Sequence, residues 1–183
     1  KSVTKQSSSA SQESKLSPKI IFIKRKKEFI PELDKEVIVI KERKYYVEDI
    51  SKDFQTDYGT VRSADLKKSP GKFETDRGKL FSVYDSSFID DYKRMKRLAQ
   101  VIPLKDIGVI FSNTCVGKDS LVVDAGTGSG AMALFMARYV GKVVTYDIVN
   151  EHTELAQKNA KRLDINNITF KSGNVYEKID EKN

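Results

Sequence analysis

Apolar residues along this chain change their spacing twice, and each change predicts a different kind of element. Between residues 19 and 49 they come in short β-branched and aromatic runs: Ile20-Ile21-Phe22-Ile23, Val37-Ile38-Val39-Ile40 and Tyr45-Tyr46-Val47. Such runs separated by polar links predict short strands, and Lys41-Glu42-Arg43-Lys44 sets the last two at hairpin distance. A small antiparallel sheet or barrel is expected, ending within the loop-like stretch 51–72. Past Ser69-Pro70-Gly71 the spacing turns helical: Phe88, Ile89, Tyr92 and Met95 share one face, with Lys93, Arg94, Lys96 and Arg97 largely on the other. Ser86 or Ser87 is the expected N-cap, and a basic last turn would suit the negative end of the helix dipole. A second helix, carrying Ile107, Ile110 and Phe111, is expected after Pro103.

The second change comes near residue 121, where strand and helix begin to alternate. Leu121-Val122-Val123 reads as a buried strand and Ala131 to Val140 as an apolar helix. Lys142 to Tyr146 follows as a strand, Glu151 to Leu163 as an amphipathic helix and Ile168-Thr169-Phe170 as a third strand. This βαβαβ order demands a parallel sheet. The expected fold class is therefore α/β: the first half of a Rossmann-like domain over 73–183, preceded by a small β-rich domain over 19–72. Residues 1–18 hold seven serines and almost nothing apolar, so they read as a flexible tail.

Composition narrows the chemistry. The 183 residues are 39% hydrophobic and 32% charged, enough to build a core in water. No stretch approaches the ~18 apolar residues of a membrane helix, and no apolar run follows the first residues to suggest a secretory signal. A lone cysteine, Cys115, excludes an internal disulfide and argues for a reducing, cytoplasmic setting. The sole histidine, His152, leaves no zinc cluster and makes a Ser-His-Asp hydrolase improbable. The net charge of +7 favours a polyanionic partner. Lys24-Arg25-Lys26-Lys27, expected between strands, is either a solvated run protecting a sheet edge or a phosphate contact.

Between the first strand and helix of the alternating region lies Asp124-Ala125-Gly126-Thr127-Gly128-Ser129-Gly130-Ala131. Glycines there permit a tight turn and close approach of a ligand to the backbone. Asp147 ends the next strand, 21 positions after Gly126, where an acid can accept the hydroxyls of a ribose. Together they point to an adenosine-containing ligand. Gly126, Gly128 and Ala131 also satisfy the dinucleotide pattern, so NAD competes. Asp124 discriminates: a carboxylate beside the turn repels a pyrophosphate but favours the ammonium and sulfonium of S-adenosylmethionine. The loop therefore favours S-adenosylmethionine and a methyltransferase.

The run Val122 to Gly130 resembles the first motif of the tRNA (adenine-N1)-methyltransferases acting at position 58 of the T-loop. Lys44-Tyr45-Tyr46-Val47-Glu48-Asp49, Phe54-Gln55-Thr56-Asp57-Tyr58-Gly59, Met95-Lys96-Arg97 and Gln100-Val101-Ile102 before Lys105-Asp106-Ile107-Gly108 resemble further segments of the archaeal members. The resemblance implies a class I methyltransferase fold with Asp124, Gly126, Thr127, Gly128, Ser129, Gly130 and Ala131 at the methionine part of the cofactor. It implies Asp147 on the ribose and His152 in cofactor contact, beside a reading of His152 as an ordinary half-buried residue of a first helical turn. Asn174, in Gly173-Asn174-Val175, stands where the family has an aspartate for the adenine amino group; its amide oxygen can still accept that bond. Pro103 and Leu104 replace a tyrosine-proline pair of the family. The resemblance also implies tRNA as partner and a homotetramer. The family's acid near adenine N6 follows a fourth strand beyond Asn183, so no catalytic residue is named, and the chain is expected to be part of a longer protein. The competing readings are a non-catalytic RNA-binding subunit and a methyltransferase for protein or small molecules.

Overall fold

A computed structural model describes residues 17–98 and 100–181. The described residues form two compact units that divide after Ser87. The tail expected over 1–18 lies outside the described residues but for Ser17 and Pro18.

The first unit is β-rich. Its strands are β1 (Lys19–Ile23), β2 (Lys26–Ile30), β3 (Lys35–Ile40), β4 (Arg43–Val47), β5 (Phe54–Thr56), β6 (Gly59–Val61), β7 (Gly71–Glu74) and β8 (Leu80–Asp85), with a single-turn helix α1 (Ser63–Leu66) before β7. Four of them make an antiparallel sheet in the order β4-β1-β8-β7, while β2-β3 and β5-β6 are separate hairpins. Alternation along β1 and β8 sends Ile21, Ile23, Phe81 and Val83 into the core, all 2% exposed or less. There Phe81 stacks on Phe73 at 5.8 Å between centroids and meets Tyr45 and Tyr58 at 6.2 and 6.5 Å.

Three expectations fail here, because strand pairing follows the sheet that forms and not the spacing of apolar runs along the chain. β3 and β4, at hairpin distance, do not pair; β3 pairs back with β2, and β4 with β1. Lys26 and Lys27 are not in a connection but open β2. The β-rich unit does not end by residue 72 either, because β7 and β8 lie beyond it and β8 pairs with β1.

The second unit alternates. It contains α2 (Phe88–Tyr92), α3 (Leu104–Thr114), β9 (Leu121–Ala125), α4 (Ala131–Ala137), β10 (Lys142–Asp147), α5 (Asn150–Arg162) and β11 (Ile168–Ser172). The three strands are parallel, in the order β11-β10-β9. β10 is therefore central, and five of its six residues are buried. Small side chains on the helices (Ala131, Ala133, Ala137, Ala156 and Ala160) are buried at 6% exposure or less, which lets backbones approach closely. β9 is not the buried strand that its Leu-Val-Val run suggested. With β10 on one side only, Leu121 and Val123 remain 50% and 39% exposed. α2 is shorter than expected and stops at Tyr92, so the basic residues 93–97 lie past its end instead of forming its last turn.

Candidate functional site

The site is built where β9 and β10 end. β9 runs into a turn whose glycines have φ of +87° (Gly126), +52° (Gly128) and +85° (Gly130), a left-handed region that side chains resist. The three are not equivalent. A Cβ on Gly130 would lie 2.9 Å from Leu134 and 3.0 Å from Ala156, so this glycine seats α4 against α5. A Cβ on Gly126 would meet nothing within 4 Å. That side of the turn is open to a ligand.

Hydrogen bonds pin the turn from behind. The amides of Gly126 and Thr127 donate to the Tyr146 carbonyl at 2.8 and 3.0 Å, and the Gly128 amide donates to Asp147 Oδ2 at 2.8 Å. Asp147, 7% exposed, also accepts from the Val149 amide at 2.9 Å and lies 3.2 Å from His152 Nδ1. Burial alone would raise the Asp147 carboxyl, but the two amides and His152 together hold it below the usual carboxylate range. An ionised carboxylate only accepts, so Nδ1 is the protonated nitrogen of His152. Three of the roughly four acceptor positions of Asp147 are thus filled, and one is open.

Asp124, at the end of β9, belongs to a second chain of bonds. Thr145 Oγ1, fully buried on β10, donates to Asp124 Oδ2 at 2.8 Å. Its one proton being used there, Thr145 accepts from Thr127 Oγ1 at 2.7 Å. Burial pushes the Asp124 carboxyl up; the Thr145 hydroxyl opposes this, and the charge of Asp147 adds to the rise. A cation brought beside Asp124 would be stabilised by it.

A crevice of about 250 Å³ opens over the strand ends, lined by Ala125, Gly126, Tyr146, Asp147, Ile148, Gly173, Asn174, Val175 and Tyr176. Gly126, Asp147 and Asn174, 48 positions apart in sequence, thus share one cavity. Ile148 and Tyr176, 72% and 96% exposed, offer apolar and aromatic surface to it. Asn174 is turned partly inward: its Oδ1 accepts from the Tyr176 amide at 3.1 Å and its Nδ2 donates to Glu177. Ser129 and Thr127 are 3% and 4% exposed and serve the turn's interior. Ser129 Oγ accepts from the Leu98 amide at 3.0 Å.

Sequence reasoning missed Thr145, Ile148 and Tyr176. Ile148 was findable, being the residue after the strand-end acid. Thr145 was not, because only the register Thr145↔Asp124 between β10 and β9 places its hydroxyl on that carboxylate.

Residues 117–183 match a family described as a methyltransferase domain. Over 158 residues the chain is 32% identical to the tRNA (adenine(57)-N(1)/adenine(58)-N(1))-methyltransferase of Methanocaldococcus jannaschii, a match covering 70% of this chain and 56% of that protein. It is 30% identical over 117 residues to the tRNA (adenine(58)-N(1))-methyltransferase of Thermus thermophilus, covering 61% of this chain and 46% of the relative. Over these stretches the chain is similar to the tRNA (adenine-N1)-methyltransferases. Its fold is the class I methyltransferase fold, shared with S-adenosylmethionine-dependent methyltransferases. A solved S-adenosylmethionine-dependent O-methyltransferase of Thermotoga maritima superposes with a TM-score of 0.70 at 26% identity, over 92% of this chain and 60% of that one. The tRNA (m1A58) methyltransferase of Aquifex aeolicus does so with 0.61 at 21% identity, over 83% and 55%. The chain spans about half the length of the curated relatives it matches. Among the described residues no helix is long and apolar enough to cross a membrane.

Proposed function

We propose that this chain carries the cofactor-binding half of an S-adenosylmethionine-dependent methyltransferase acting on N1 of adenine 58 in the tRNA T-loop. One observation carries the cofactor assignment: a turn open on the Gly126 side meets, across one crevice, an ionised strand-end acid with an acceptor position to spare. Asp147 is the residue to receive the ribose hydroxyls, and His152, the longest of its contacts, is the one that can yield to them. Ile148 and Tyr176 are placed to cover the faces of an adenine, and the free lone pair of Asn174 Oδ1 to accept from its amino group. Asp124 supports a cationic donor and disfavours a pyrophosphate, which sets the reading against NAD. Bound there, S-adenosylmethionine supplies an electrophilic methyl group for a base nitrogen. The acceptor assignment rests on homology to the tRNA (adenine-N1)-methyltransferases, and the net charge of +7 suits a polyanionic substrate.

Two other readings have an observation each. The likeness to the Thermotoga O-methyltransferase favours an oxygen acceptor on a protein or small molecule. Asn174, with its amide engaged by its own loop, favours an RNA-binding subunit without chemistry. The test is incubation of the full protein with methyl-labelled S-adenosylmethionine and unmodified tRNA, followed by nucleoside analysis. The reading expects 1-methyladenosine, lost in Asp147→Ala. Label on protein or small molecules instead favours the oxygen acceptor, and tRNA binding without label favours the subunit.

A further inference from the structure

Behind the glycine turn runs a segment that the cofactor site does not use. Residues 93–98 follow α2, and their side chains divide sharply: Met95 is 5% exposed, while Lys93, Lys96 and Arg97 stand in solvent. Between Asp91 and Asp106 the sequence contains no carboxylate. An irregular basic segment would ordinarily be held loosely, but this one is fastened at both ends and in the middle. Tyr92 Oη donates to the Ala131 carbonyl, at the first residue of α4, at 2.9 Å. The Leu98 amide donates to Ser129 Oγ at 3.0 Å. The middle is held by Asn159 of α5, 2% exposed. Its Oδ1 accepts from the Lys96 amide at 3.1 Å and its Nδ2 donates to the Lys96 carbonyl at 2.9 Å. The same Nδ2 donates its other proton to the Ser129 carbonyl at 2.9 Å, inside the glycine turn.

A buried asparagine that completes its hydrogen bonds on two separate segments at once makes them move together. We infer that the basic segment 93–97 is a docking surface for the phosphate backbone of the RNA substrate, and that Asn159 couples its occupancy to that of the cofactor turn. This rests on the function proposed above and extends it. Phosphates settling on Lys93, Lys96 and Arg97 fix the position of the segment further; through Asn159 and Ser129 that constraint reaches the turn, so each ligand tightens the other by the same factor.

The test is a binding cycle by calorimetry on the full protein, with S-adenosylhomocysteine and an unmodified tRNA transcript each titrated with and without the other. The wild type is expected to bind tRNA about fivefold or more tightly when S-adenosylhomocysteine is present, with a reciprocal effect. In Asn159→Ala that factor falls towards one; in Ser129→Ala, which removes only the Leu98 bond, it falls part-way. Replacing Lys93, Lys96 and Arg97 by alanine weakens tRNA about tenfold or more, lowers the slope of log affinity against log salt by about two to three, and leaves S-adenosylhomocysteine binding alone unchanged. A wild type without coupling, a coupling factor untouched in both Asn159→Ala and Ser129→Ala, or an unchanged salt slope overturns the inference. So does binding of an acidic protein instead of tRNA. Absence of S-adenosylhomocysteine binding overturns the proposed function as well, so the two failures are distinct.

Discussion

The two units differ in what their tightest packing is made of. At the centre of the β-rich core Phe81 touches three other rings. The α/β unit packs rings too, Phe135 meeting four of them, but at its glycine turn it brings backbone against helix, so that at Gly130 even one added carbon collides with Leu134 and Ala156. Packing by side-chain volume tolerates adjustment. Close approach of backbone does not, and it holds a ligand-facing turn rigid from behind. The contrast teaches where each unit is brittle.

The largest effect is expected where volume is removed. Phe81→Ala should cost about 3–5 kcal/mol in chemical denaturation, the range for truncating a buried ring. A cost below about 1 kcal/mol would mean that this core is not built on volume. Next comes addition. Gly130→Ala combines a left-handed φ of +85° with a collision and should cost about 2–3 kcal/mol, whereas Gly126→Ala, with a similar φ but open space, should cost about 1 kcal/mol. In ligand titration the order reverses, with Gly126→Ala weakening S-adenosylhomocysteine more per unit of lost stability. Equal ratios for the two glycines would erase the distinction between a packing glycine and a ligand-facing one.

The two acids of the site sharpen the contrast through pH. Asp147 has its carboxyl held low, so the native state favours its charged form. That stability is present above the unfolded pKa of about 3.9 and is lost as pH falls through the lower folded value. Asp124 is held high by burial, so its sign is opposite: folding is penalised as pH rises from about 3.9 through the folded value. Urea midpoints from pH 3 to 7 should show Asp147→Asn losing ground to the wild type as pH rises, and Asp124→Asn gaining it. Parallel curves would refute the assigned environments. The smallest effect is expected at Lys171, whose half-buried amine pairs with Glu181 at 2.7 Å. Its pKa is raised, chiefly by Glu181 and then by the Tyr146 hydroxyl. Lys171→Ala should barely move the melting temperature, and salt should erase the difference.

Legibility from sequence also divides by unit. In the α/β unit the order strand, glycine turn, helix, strand, acid is local, since each element is announced by its own run and neighbours in sequence become neighbours in the sheet. β9, β10, β11, α4 and α5 were all legible, with ends shifted by a few residues. Gly126 and Asp147 were placed on one site by their spacing alone, and both line the crevice. In the β-rich unit the runs of β1, β3 and β4 were legible, but β2, β5, β6, β7 and β8 were not, and neither was the pairing. Register is set by whichever edges bury the most apolar surface, and β1 finds β4 and β8 across 20 to 66 residues.

The periodic grammar of the α/β unit is local: which of its stretches are strands, where the chain turns on glycine, and which acid closes the second parallel strand. Those follow from local sterics and side-chain spacing, which each short segment carries within it. Folding of the whole unit was needed to stand Thr145 on Asp124 and to join Lys96 to Ser129 through Asn159. A hydrogen bond is made at about 3 Å between groups whose separation along the chain carries no record of it; packing brings them together, and packing belongs to the whole unit.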